Sequence, residues 1–183
     1  MPATGIPALE RLVARLFIRR FVRNNPVEHA PILLRDQQRT LAAMIDRAGP
    51  DAERRVQIKR LRGLEQSSTN YSLAMVARHL AMINRDLATT LSHLKAGRPC
   101  PIVVSTANYK PPPDTRAPAA MRELTDANDA LARELADPGA IRASRVTHVH
   151  PWFGPLSCEV WACFGPFHQA LHLRQADAIV AGF

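Results

Sequence analysis

The residues with the clearest chemical potential lie in the last quarter of the chain, THVHPWFGPLSCEVWACFGPFHQALHLRQADAI. There His168 and His172 stand four residues apart. On an α-helix that spacing puts two side chains on one face, a turn from each other. Two imidazoles so placed can hold one ion, as when two histidines flank a helical turn in metallohydrolases. A bare pair is equally compatible with surface or packing histidines, so a third ligand is needed. Cys163, just over a turn before His168, can approach such an ion, or can be a small buried apolar residue.

The element carrying the pair is a closing helix. Ser157 reads as its N-cap, and Glu159 places negative charge in the first turn, where the helix dipole favours it. Val160, Trp161, Phe164, Phe167, Leu171 and Ile179 cover more than one face, which predicts a central helix. Gly165-Pro166 interrupts the pattern. Proline cannot donate a backbone hydrogen bond, so the helix either kinks at Gly165-Pro166 or restarts with Pro166 in its first turn, and a kink just before His168 is the expectation.

The clearest helix is 72–95, with Leu73, Val76, Leu80, Ile83, Leu87, Leu91 and Leu94 at the 3.6-residue period and Gly97 as its stop. His79 falls on the inward side, where its ring nitrogens need partners, either a metal or core hydrogen bonds. Arg78 and Arg85 are expected to point outward. Asp86, two turns on, is an acceptor for a ligand's ring or half of an arginine pair. His93 suits the helix C-terminus.

The remaining elements follow in order. Residues 8–22 carry an amphipathic pattern in ERLVARLFIRRFVRNN, expected to dock on the other helices, with a membrane-surface helix as the alternative. His29 falls in the loop that follows. A helix over Asp36–Ala48 is predicted, with Asp36 as cap and Gly49-Pro50 as stop. Residues 51–70 read as mainly irregular, although Val56 and Ile58 alternate as in extended chain. Residues 98–118 hold six of the fifteen prolines and read as a long extended crossover. A helix over 119–135 ends at Asp137-Pro138-Gly139, and a loop then runs to Leu156. The expected architecture is all-α: one domain over 1–183, a four-helix bundle with the 98–118 crossover and an N-terminal helical extension over 1–30.

The chain has 183 residues and a net charge of +8, from 24 basic and 16 acidic side chains, most of the basic ones arginine. The arginines are scattered and not interleaved with aromatics, and no nucleic-acid motif is present, so solvated helix faces are expected rather than a nucleic-acid partner. Three cysteines without a C-x-x-C pair argue against a disulfide framework. No apolar run is long enough to span a bilayer, and no membrane partner is expected. The Arg-rich start lacks the serines of a transit peptide, which points to a mature N-terminal helix and a cytoplasmic location. No Gly-rich phosphate loop and no G-x-S-x-G elbow are found.

His79 on one long helix, with His168 and His172 on the last, resembles the DinB-like superfamily of bacterial metal-binding four-helix bundles. The resemblance rests on SSTNYSLAMVARHLAMIN, HPWFGPLSCEVW and FHQALHLRQ, with IRRFVRNNPVEHAP as a lead-in. It implies that His79, His168 and His172 ligate a divalent ion, zinc or nickel, with an open coordination position. Where many members carry a further histidine before the last ligand, this chain has Leu171, and its Gly165-Pro166 break departs from their uninterrupted helix.

Around that site, His148 and His150 form an H-x-H pair that can approach the open position. His150 is also expected to position its loop, Trp152 and Phe153 to cap the helical end, and Gln175 to support a ligand's ring. The resemblance further implies a metal-dependent small-molecule enzyme, a thiol transferase or a hydrolase, with a low-molecular-weight thiol as partner. No Glu or Asp flanks the histidine pair as in H-E-x-x-H, which weakens the hydrolase version. The alternative is a metal-binding, stress-associated protein without turnover. A homodimer suits the architecture, but no interface is readable.

Overall fold

A computed structural model describes residues 8–183, with side chains from Leu12 onward. The molecule is mainly helical. Among the described residues, six helices, α1 (Ala8–Asn24), α2 (Ala30–Ala48), α3 (Leu73–Lys95), α4 (Ala117–Leu135), α5 (Pro138–Ala143) and α6 (Cys158–Val180), are joined by short 3-10 turns and two small antiparallel ribbons. Helices α2, α3, α4 and α6 pack on one another, while α1 lies against α6.

Each long helix follows from its apolar stripe and its end signals. In α3 the Ser72 hydroxyl accepts from the Met75 N–H at 3.1 Å, and Leu73, Val76, Leu80, Leu87, Leu91 and Leu94 are buried. Ser157 caps α6 in the same way, accepting from the Val160 N–H at 3.4 Å. Helix α4 begins where Glu53 accepts the Ala117 N–H at 3.0 Å and pairs with Arg116 at 2.7 Å. An anion therefore neutralises its N-terminus from outside the helix.

Several expectations need correction. Helix α2 starts six residues before Asp36, because Pro31 sits in its first turn, where a missing N–H costs nothing. Asp36 instead pairs with Arg39 on the exposed surface. Helix α6 runs unbroken through Pro166, so there is no restart. The neighbouring Gly165 serves close packing: a Cβ there would lie 2.9 Å from Leu131 Cδ2 of α4. Arg78 does not point freely outward but is half-buried in an ion pair with Glu123 of α4.

The stretch expected as one loop before Leu156 is structured. Asp137-Pro138 does end α4, but Asp137 Oδ1 also accepts the Ala140 N–H at 2.9 Å and starts α5. An Asp-Pro pair is a good N-cap and N1 as well as a stop. Next, β3 (Thr147–His150) pairs with β4 (Gly154–Ser157) in a hairpin, His148 opposite Leu156 and His150 opposite Gly154. Gly154 has φ +74°, the left-handed conformation that closes a three-residue hairpin loop. Residues 51–70 are largely irregular. Val56–Gln57 (β1) pairs there with Asn70–Tyr71 (β2) in a minimal ribbon. Residues 98–116 run without regular structure apart from a 3-10 turn at Thr106–Tyr109.

The four mutually packed helices share a buried polar cluster. Asn84 Nδ2 donates to Asn128 Oδ1 at 2.6 Å and to Gln169 Oε1 at 2.8 Å. Asn128 in turn donates to Gln38, and Gln169 to the Leu34 carbonyl and Gln37. Asn84 on α3 therefore ties α4 and α6 together with α2 behind them. Replacing it by Ala strands two buried acceptors, which costs about 2–6 kcal/mol at about 1–3 kcal/mol for each unsatisfied group. Asn84→Ala should show that loss in urea unfolding with little change in slope, and an unaltered midpoint would remove the network from the stability of the fold.

Candidate metal centre

His79 projects from α3, and His168 and His172 from one face of α6. One ligand atom from each lies within 4.8 Å of the others. The ring centroids of His79 and His172 are 4.4 Å apart, those of His168 and His172 4.5 Å, and those of His79 and His168 5.3 Å. A tetrahedral ion with zinc–nitrogen bonds of 2.0–2.1 Å needs ligand nitrogens about 3.3 Å from one another. His168 Nε2 and His172 Nε2 are already 3.2 Å apart.

The hydrogen bonds behind the rings settle which nitrogens are available. The Ser68 carbonyl can only accept, so it fixes the Gln175 amide with Nε2 toward it, at 2.6 Å. Gln175 Oε1 then faces His172 Nδ1, also at 2.6 Å, and that nitrogen must carry the proton. The lone pair of His172 is therefore on Nε2. On the opposite side, His79 Nδ1 donates to the Tyr109 carbonyl at 2.6 Å, which leaves its lone pair on Nε2 as well. Such outer partners set tautomer and ring orientation at metal sites. His168 is held differently. Phe164 stacks on it, 5.6 Å between centroids and 16° between planes, and its buried Nδ1 meets no hydrogen-bond partner among the described residues.

Burial pushes the pKa of all three imidazoles below the ordinary value, and for His168 and His172 well below it. At His168 and His172 neighbouring histidines add to the push, whereas at His79 the Tyr109 carbonyl and Glu65 oppose it. Neutral imidazoles with exposed lone pairs are the form in which histidine binds metals. The donor set thus fits a divalent ion of the zinc type: three nitrogens from two helices, with the proton-bearing nitrogens of two of them turned away. No carboxylate and no thiol belongs to the ligand-spaced group.

The three rings line a cavity of about 120 Å³, with Ile83, Leu87, Trp152, Phe164, Phe167 and Leu171 among its other walls. Asp86 and Glu65 are its acidic lining residues, and Lys110 is exposed at its edge. Asp86 does not touch a histidine. It accepts the Tyr109 hydroxyl at 2.8 Å, so Tyr109 lies along α3 with its carbonyl on His79 and its hydroxyl two turns further on.

Of the other candidates, Gln175 is fully buried and stands directly behind His172. His150 and Trp152 both line the cavity, and the Trp152 N–H donates to His150 Nδ1 at 3.1 Å, within the hairpin loop. His150 is not in the ligand-spaced group. It packs against Phe164, 5.1 Å between centroids, and burial depresses its pKa to about 3. His148 faces Trp161 instead, whose indole N–H donates to the His148 carbonyl at 3.1 Å. The Phe153 ring is buried between His150, Phe164 and Phe167. Cys163 turns the other way, toward the Asn25 carbonyl at 3.6 Å, with its thiol pushed up to about 12 by burial; it does not approach the histidines. His29 is exposed, and His93 donates to the Pro99 carbonyl at the exit of α3.

Two participants were not foreseen, Tyr109 and Ser68. Tyr109 is the single aromatic of the Pro-rich crossover, which was the available signal. Ser68 contributes only its carbonyl, and a backbone group leaves no mark in a sequence.

No family model, curated protein or solved structure matches this chain.

Proposed function

We propose that this chain is a divalent-metal protein of the DinB-like kind. In this reading α2, α3, α4 and α6 form the four-helix bundle, residues 98–116 are its crossover, and α1 is an N-terminal extension; the part of the expected 1–30 extension before residue 8 lies outside the described residues. His79, His168 and His172 hold zinc or nickel. The observation that carries the proposal is the pair of committed Nδ1–H groups, on the Tyr109 carbonyl and on Gln175, which leaves the Nε2 lone pairs of His79 and His172 for a shared ion.

Three neutral ligands leave such an ion with an open position, where it would lower the pKa of a bound thiol or water. The cavity beside the histidines gives a small molecule room to reach that position. Thiol transfer is favoured over hydrolysis by what surrounds it. Asp86 is engaged by the Tyr109 hydroxyl, Glu65 accepts the Ser67 hydroxyl at 3.1 Å, and neither carboxylate belongs to the ligand-spaced group. Nor does a cysteine line the cavity among the described residues, so the sulfur nucleophile would arrive with the substrate. His79 and His172 orient the reaction centre through their fixed tautomers. The apolar walls exclude water from it. We place the protein in the cytoplasm. The other reading, metal storage without turnover, shares the same ligands but needs no exchangeable position.

Elemental analysis of the purified protein, followed by cobalt substitution and addition of a small thiol, separates these outcomes. One bound ion whose visible spectrum shifts with thiol supports the enzyme. An ion with no exchangeable ligand supports storage. Absence of any bound divalent ion, even after incubation with zinc, defeats both.

A further inference from the structure

Helix α1 does more than dock. One face packs down: Ile18 is buried, and Phe21 meets Phe167 of α6 edge-to-face at 5.4 Å. The opposite face carries Leu12, Val13, Leu16 and Phe17, exposed by 54%, 42%, 57% and 60%. Their i, i+1, i+4, i+5 spacing makes one continuous stripe along the helix. Large apolar side chains grouped in this way mark an interaction surface, whereas single exposed ones do not.

The charges around the stripe say what it meets. Arg15, Arg19, Arg20 and Arg23 are all exposed, and none is in an ion pair among the described residues. The α1 sequence holds five arginines against one acid, Glu10. A second copy of this helix would set arginine against arginine on a protein whose net charge is already +8. An anionic lipid surface accepts both features at once. The Leu and Phe side chains enter the acyl boundary, and the arginines rest among the headgroup charges.

We infer that α1 is a membrane-surface anchor, lying in the interface of anionic bilayers through Leu12, Val13, Leu16 and Phe17 with Arg19, Arg20 and Arg23 on the phosphates, while Arg15 lies against Gly154 of the hairpin. The attachment is peripheral, since no helix among the described residues is long and apolar enough to cross a membrane. It is independent of any metal chemistry in the cavity.

The test uses the full chain and sedimentation with vesicles of phosphatidylcholine, with or without one third phosphatidylglycerol, at low and high salt. Expected are partition into the anionic vesicles, weakening of it by roughly thirtyfold or more for Arg19→Glu/Arg20→Glu, and loss of it for Leu16→Glu/Phe17→Glu. High salt should release the protein. The substituted side chains are exposed, so circular dichroism should show both variants folded. The inference is overturned by no binding to anionic vesicles at low salt, by equal binding to neutral ones, or by undiminished binding of Leu16→Glu/Phe17→Glu. It is also overturned if light scattering shows a dimer that this variant dissociates while vesicles bind neither form.

Discussion

His172→Ala should leave the protein without stoichiometric metal. In the proposed centre this imidazole is the most constrained of the three, almost fully buried and held by the relay through Gln175 to the Ser68 carbonyl. Its Nε2 lies 3.2 Å from that of His168, so its removal leaves two ligands on different helices with no group to replace it. Losing only an outer partner of a metal ligand typically costs 10–100-fold in affinity. Losing the ligand itself should exceed that and bring occupancy to background by elemental analysis. The melting temperature should fall for two reasons. An ion at 100 times its dissociation constant stabilises the fold by about 2.7 kcal/mol, and that contribution disappears. The truncation also strands Gln175 Oε1 in the core, a further cost of about 1–3 kcal/mol. Gln175→Ala provides the comparison: a weaker site with the ligand still present. Full occupancy in His172→Ala would remove this residue from the centre.

The second large effect is on acid stability of the metal-free protein. Burial holds His79, His150, His168 and His172 below their ordinary pKa, so all four are neutral in the fold where the unfolded chain would be protonated. The unfolded state then binds more protons, and stability rises with pH. The loss begins as pH falls through about 6.5, the unfolded value, and continues down to the folded values, near 3 for His150. Between pH 7.5 and 5.5 each such group costs up to about 1.4 kcal/mol, and four of them about 5.5 kcal/mol at most. Denaturant melts across that range should show a steep decline, with proton uptake on unfolding. A flat profile would mean that the imidazoles are hydrated or charged in the native state. Metal binding should raise stability without flattening the decline, because the ion also holds these imidazoles neutral in the fold while the unfolded chain still takes up protons.

What the sequence by itself determined is local. The 3.6-residue period placed α3 and α6, set His79 on an inward face and put His168 and His172 one turn apart, because helical geometry converts spacing directly into direction. The caps Ser72 and Ser157 and the stops at Gly49 and Gly97 are of the same kind, one side chain or one backbone conformation acting within a turn. End signals misled where a residue can do two jobs. Asp137-Pro138 stops one helix and begins another, and Pro31 starts α2 well ahead of the polar residue that reads as its cap. The T-H-V-H alternation of β3 was legible only with its partner, since four residues form a strand only when another edge takes up their hydrogen bonds.

Tertiary structure alone decided the convergence of the three rings and the partners of their second nitrogens. Those partners are carbonyls and an amide brought in from elsewhere: Tyr109 from the crossover, and Ser68 acting through Gln175. Backbone acceptors look identical at every position of a sequence, so only the packed chain can say which one meets a given imidazole. The same holds for Cys163. Its distance from His168 along the helix is fixed locally, but which neighbour that side of α6 faces is set by where α1 and Asn25 come to rest. Periodicity orients a side chain relative to its own helix axis. The contacts between helices determine what it finds there.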